Sequence, residues 1–187
     1  MDDPIRSISV TQIVLLNLDP ARVLFPRRSY GSTGARIHRE LGFTNQTMLQ
    51  KIVDGWNVRG VPDLIGEDYV GDLKTYRTQE EKGYLIAYAN MQLNIYCYIG
   101  DFDYYEITLY NIVEGRITDV IRKRANKKQA LKDIRCAIEK YKGVLKALGL
   151  YKPKGGENDG EGLLEESSEE GKKKEERSRH RRGVSSS

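Results

Sequence analysis

The chain has 187 residues, a formal net charge of +4, 39% hydrophobic and 31% charged residues. This length fits one domain with appendages, with apolar content sufficient for a core beneath a well-solvated surface. No run of about 18 apolar residues occurs, which excludes an apolar bilayer-spanning helix. Met1-Asp2-Asp3-Pro4 lacks the basic start of a signal peptide. Cys97 and Cys136 are far apart, outside any metal-binding spacing, and lie among apolar helix formers. Both are expected to be buried free thiols, which fits a reducing, intracellular setting. The last 36 residues, Lys152–Ser187, hold nine basic and nine acidic groups, so the +4 belongs to the remainder of the chain. An excess of that size permits phosphate binding without requiring it.

Residues 7–18 (S-I-S-V-T-Q-I-V-L-L-N-L) read as a short apolar helix, capped by Ser9 or Thr11 and ended by Asp19-Pro20. Arg22, Arg27 and Arg28 then flank Phe25-Pro26 in a loop that either meets a phosphate backbone or is simply solvated. Residues 29–41 predict a second helix entered through Ser32 or Thr33, with Ile37 and Leu41 turned to the core and His38 beside them. A histidine there is ordinarily a packed or surface imidazole. It becomes a candidate ligand if the helix leads into an acidic site. Residues 43–53 are less regular, either a further helical segment or the lead-in to a strand.

Residues 55–77 (G-W-N-V-R-G-V-P-D-L-I-G-E-D-Y-V-G-D-L-K-T-Y-R) carry the densest chemistry. Residues 56–65 read as strand, glycine, strand, with Gly60 allowing a bulge or a close backbone approach. Gly66-Glu67-Asp68 has turn chemistry, and residues 69–75 form the next strand. Asp72 and Lys74 are two apart, so both point from the same face of that strand. A hairpin or bent strand pair would bring Asp63, Asp72 and Lys74 to one end of a sheet. Two hard carboxylates hold Mg²⁺ or Mn²⁺, and a lysine beside them orients or deprotonates water. A charged hairpin tip is the plainer reading of Asp-Leu-Lys taken alone.

Residues 78–98 predict a long helix with Leu85, Tyr88, Gln92 and Tyr96 along one face. After a turn at residues 100–103, residues 104–113 alternate as a strand. Glu114-Gly115 then turns into a second strand over residues 116–122. Residues 126–150 predict an amphipathic helix with Leu131, Ile134, Ile138, Tyr141, Leu145 and Leu148 inward and Gly149 as its stop. Its basic outer face is either a DNA-contacting or a solvated surface. Residues 152–187 have the composition of a disordered charged tail, so the folded domain is placed at residues 1–151. The basic end of that tail either adds non-specific affinity for nucleic acid or is neutralised by the acidic block before it.

Four separated pieces, taken in order, resemble the RecB-like branch of the PD-(D/E)XK nuclease superfamily. They are G-A-R-I-H (residues 34–38), G-V-P-D (residues 60–63), G-D-L-K-T (residues 71–75) and Q-L-N-I-Y (residues 92–96). The resemblance spans residues 7–148 and implies an α/β, restriction-endonuclease-like fold with a central mixed sheet flanked by helices. It implies that His38, Asp63, Asp72 and the backbone carbonyl of Leu73 bind Mg²⁺ or Mn²⁺. It also implies that Lys74 positions or activates water, with Asp63 and Asp72 part of the same catalytic set. Gln92 and Tyr96 would contact the DNA backbone or hold Lys74 in place, with Arg36 as a further DNA-contacting residue.

Within that branch the plan looks like the CRISPR-associated RecB-like exonucleases, which bind a four-cysteine iron–sulfur cluster. Here the N-terminal turn reads Leu18-Asp19-Pro20, the C-terminal helix has Cys136 alone, and two cysteines do not supply four ligands. No iron–sulfur cluster is therefore expected, which would suit a nuclease of a virus or mobile element acting in the cytoplasm of the cell or of an infected host. The implied activity is metal-dependent hydrolysis of DNA phosphodiester bonds at single strands, ends or branches, in recombination or repair. The implied partner is DNA, with a homo-oligomer left open and no membrane. A Holliday-junction resolvase of the same superfamily, or a non-catalytic DNA-binding protein that keeps the fold, are the alternatives.

Overall fold

The computed structural model describes residues 6–24 and 31–151. The expected tail at residues 152–187, and Arg27 and Arg28, lie outside the described residues. The elements in chain order are β1 (Arg6–Ser9), α1 (Val10–Leu18), α2 (Ala21–Leu24), α3 (Gly31–Glu40), β2 (Leu49–Val53) and β3 (Trp56–Gly60). They continue with β4 (Leu64–Ile65), β5 (Tyr69–Tyr76), α4 (Gln79–Gly100), β6 (Tyr104–Asn111), β7 (Arg116–Arg124) and α5 (Lys127–Ala147).

The strands form two mixed sheets, ordered β1-β3-β2 and β4-β5-β6-β7. In the first, β1 runs parallel to β3 and β2 antiparallel to it; in the second, β5 and β6 are the parallel pair. The two sheets part between Gly60 and Leu64, where Pro62 has no N–H to give to a ladder. Helix α4 packs against β5 and β6 and touches α1 and α5, so apolar layers lie between helices and sheets. Ile8, Ile13, Val58, Leu93, Ile107, Leu109 and Ile134 are all fully buried in that core.

Local chemistry accounts for most boundaries. Ser9 caps α1 with a reciprocal box: its hydroxyl accepts from Gln12 N–H, and the Gln12 side chain accepts from Ser9 N–H. Residues 6–9 are therefore strand rather than the first turn of the expected helix. Alternation is hard to see in four residues, and β1 exists because β3 is there to pair with it. Residues 43–53 resolve as a strand lead-in. Strand β2 folds back onto β3 through Asp54-Gly55, with φ of 47° and 77°, the left-handed pair that a tight two-residue hairpin needs. Thr78 caps α4 with a second box through Glu81, and β4 and β5 form the expected hairpin around residues 66–68.

Several expectations fail. Helix α3 already begins at Gly31, so Ser32 and Thr33 lie inside it rather than before it. Leu41 falls just past the end of α3 and is exposed, as is Leu148 just past the end of α5. Cys97 is buried, but Cys136 is exposed on the outer face of α5. Much of the basic face of α5 is engaged with protein: Lys127 with Asp101 and Asp103, Arg135 with Asp54, and Lys140 with the Leu16 carbonyl. No helix among the described residues is long and apolar enough to cross a membrane.

Candidate active site

The centre is the middle of β5. Asp72 and Lys74 share one face of this strand, as their spacing requires, and that face lies against α4. Lys74 Nζ is 2.7 Å from Asp72 Oδ2 and donates to Gln92 Oε1 at 2.9 Å. Asp72 Oδ2 is fully buried, and the ammonium approaches it as an ion pair rather than along a well-directed hydrogen bond, so its bonding capacity is not filled. Burial raises the Asp72 pKa, Lys74 opposes this, and the nearby Asp63 carboxyl reinforces it. The result is a carboxyl pushed up to about 6. For Lys74, burial works against the charge, but Asp72 and then Asp63 outweigh it, and the ammonium is held above its ordinary range.

Asp63 reaches this centre from the segment between the sheets, and three consecutive carbonyls fix its backbone. Tyr96 OH donates to Val61 O at 2.9 Å, Asn45 Nδ2 to Pro62 O at 2.9 Å, and Asn45 N–H to Asp63 O at 3.1 Å. Its side chain is tied to β5, where Asp63 Oδ2 accepts from Leu73 N–H at 3.1 Å. Gly60 makes the Tyr96 bond feasible: a β-carbon there would meet the Tyr96 hydroxyl at 2.9 Å and Val10 Cγ2 at 3.1 Å. The close backbone approach expected at this glycine is therefore made by a phenol. Burial of Tyr96 pushes its pKa up, so the hydroxyl keeps the proton it donates.

His38 stands at the rim, with Nδ1 3.5 Å from Asp63 Oδ2 and its ring edge-on to Phe43. Burial lowers its pKa; Asp72 opposes, Lys74 adds to the lowering, and a hydrogen bond with the Leu73 backbone opposes. The imidazole is accordingly biased to the neutral form that can donate a lone pair. Side-chain exposure rises from 3% at Asp72 to 16% at Lys74 and 27% at both Asp63 and His38, which identifies the side from which a substrate can approach. Arg36 lies outside this group, exposed and 3.5 Å from Glu40.

His38, Asp63, Asp72, Leu73, Lys74, Gln92 and Tyr96 thus form one connected cluster, which leaves Arg36 aside. Among the described residues, no three His, Cys, Asp or Glu side chains converge as a ready-made cation cage. The positive charge against Asp72 is that of Lys74. The donor set is nevertheless of the right kind for a hard divalent ion: two carboxylates, one imidazole biased to neutral, a nearby carbonyl, and a buried oxygen with unused capacity.

Two contributors escaped the motif reading. Asn45 has no sequence signal beyond its turn chemistry. Tyr88, whose ring centroid is 5.1 Å from Lys74 Nζ, was on the predicted helix face, one turn before Gln92.

No family model matches the chain, and no curated protein matches it. Among solved structures, the crystal structure of SSO0001 is similar at 17% identity and TM-score 0.56, covering 74% of this chain and 78% of that one. An alkaline exonuclease, LHK-Exo from Laribacter hongkongensis, is similar at 8% identity and TM-score 0.51, covering 76% of this chain and 91% of that one. At these identities the likeness is one of fold. The fold is the α/β, restriction-endonuclease-like one, with mixed sheets flanked by helices.

Proposed function

We propose that residues 1–151 form a metal-dependent deoxyribonuclease of the RecB-like kind, which hydrolyses DNA phosphodiester bonds. The observation that carries this reading is the buried Asp72–Lys74 pair, propped by Gln92 and opening at its rim onto Asp63 and His38. Burying an ion pair is seldom the most stable way to fill a core. A carboxyl raised to about 6 beside an ammonium and a second carboxyl is the perturbation expected where acid–base or ligand chemistry is done. Likeness in fold to a protein described as an alkaline exonuclease supports the same class of reaction.

Asp63, Asp72, the Leu73 carbonyl and His38 would hold Mg²⁺ or Mn²⁺. Such an ion, when bound, eases deprotonation of water and offsets charge on the phosphoryl oxygens. Lys74 would orient the attacking water through an N–H that Gln92 does not take. Gln92 fixes the direction from which that ammonium acts. Tyr96 and Asn45 keep Asp63 at its distance from β5, so the two carboxyls meet the substrate as a unit. Exposed Arg36, two residues before His38 on α3, would contact the flanking backbone.

The test uses the full chain with Mg²⁺ or Mn²⁺ on labelled single strands, duplexes with free ends, and four-way junctions. Cleavage of strands or ends that is lost in both Asp72→Asn and Lys74→Ala is the expected result. Cleavage confined to junctions would make the protein a resolvase. DNA binding without cleavage would make it a binding module that keeps the fold.

A further inference from the structure

Resting on that reading, we propose that Tyr88 is a positioning residue that holds the Lys74 ammonium through the face of its aromatic ring. An ammonium has three N–H groups to direct. One is directed to Gln92 Oε1 at 2.9 Å, while Asp72 Oδ2 stands 2.7 Å away as the counter-charge. The Tyr88 ring lies beneath the same nitrogen, with its centroid 5.1 Å away, inside the roughly 6 Å over which a ring face attracts a cation. The Lys74 side chain is only 16% exposed, so water competes weakly with that attraction.

The ring is itself constrained. Tyr88 precedes Gln92 by one turn of α4, so a single helix face presents both ring and amide to β5. Tyr84, one turn earlier still, lies 6.3 Å from Tyr88 between centroids, and the Arg22 guanidinium sits 5.4 Å from the Tyr84 centroid. Asp72 alone would allow the flexible lysine several poses against its carboxylate. The amide and the ring, both carried on α4, leave one.

A double-mutant cycle tests this, combining Tyr88→Leu, which keeps apolar bulk, with Lys74→Met, which keeps the lysine stem. Urea unfolding and steady-state cleavage of an end-labelled strand are both measured. Tyr88→Leu is expected to lower kcat about tenfold while KM stays within about twofold. Tyr88→Phe, which retains the ring face, rescues that loss. In urea, the two substitutions are non-additive. If Tyr88→Leu does not fold, Tyr88→Met takes its place in the cycle. Additive unfolding, or a Tyr88→Phe protein as impaired as Tyr88→Leu, overturns the proposal. A parent protein that cleaves nothing condemns the nuclease reading alone. The unfolding cycle needs no catalysis, so its non-additivity then upholds the ring–ammonium contact and its additivity removes it.

Discussion

Folding takes the Asp72 carboxyl out of water and sets it between an ammonium and a second carboxyl, and its pKa of about 6 records the balance. Because the folded value lies above the ordinary carboxylate value, the folded state binds this proton more tightly than the unfolded chain does. The Asp72 contribution is therefore fully present below about pH 4 and is lost as pH rises to about 6. The His38 contribution runs the other way: with its pKa lowered by burial, it favours the folded state as pH rises toward 6.5. Urea midpoints of the parent and Asp72→Asn, compared from pH 4 to pH 7, should diverge to the parent's disadvantage across that window. A pH-independent difference would mean that Asp72 does not carry the raised pKa. Gln92 makes a hydrogen bond to a charged donor, a class worth about 1.5–3 kcal/mol. Gln92→Leu should accordingly reduce kcat by about tenfold to a hundredfold, with DNA affinity in EDTA unchanged. A loss appearing in KM instead would assign Gln92 to substrate binding.

Elements place these residues, and their boundaries are testable in the same way. Gly60→Ala should push Tyr96 off the Val61 carbonyl, and overpacking of this kind costs about 1–3 kcal/mol. A thermal melt unchanged in Gly60→Ala would show that the phenol has room to move. Removing the cap of α1 with Ser9→Ala should cost about 1 kcal/mol in urea unfolding. The shared face of Asp72 and Lys74, the hairpin at residues 66–68 and the Gln92 and Tyr96 side of α4 were legible in the sequence, because each follows from a local period. Residues 6–9 were not, since a four-residue strand shows no period of its own and is stabilised by β3. The β2–β3 hairpin was signalled by Asp54-Gly55 but hidden by the irregular run before it. Asn45 was out of reach altogether: its two bonds to the Pro62 and Asp63 carbonyls come from chain crossing, not from spacing.

For the molecule as a whole, one β-strand and one helix do most of the assembly. Strand β5 supplies Asp72, the Leu73 carbonyl and Lys74, while α4 supplies Tyr88, Gln92 and Tyr96. The break between the two sheets supplies Asp63, and α3 brings His38 to the rim. The central claim is that this assembly cleaves DNA with a divalent ion and Lys74. The most direct measurement is the product ladder from an end-labelled single strand incubated with Mg²⁺ or Mn²⁺, run for the parent and for Lys74→Ala, each with and without EDTA. The account predicts shortened products from the parent with metal and none in the other three lanes. Equal products from Lys74→Ala, or products that persist in EDTA, would contradict it.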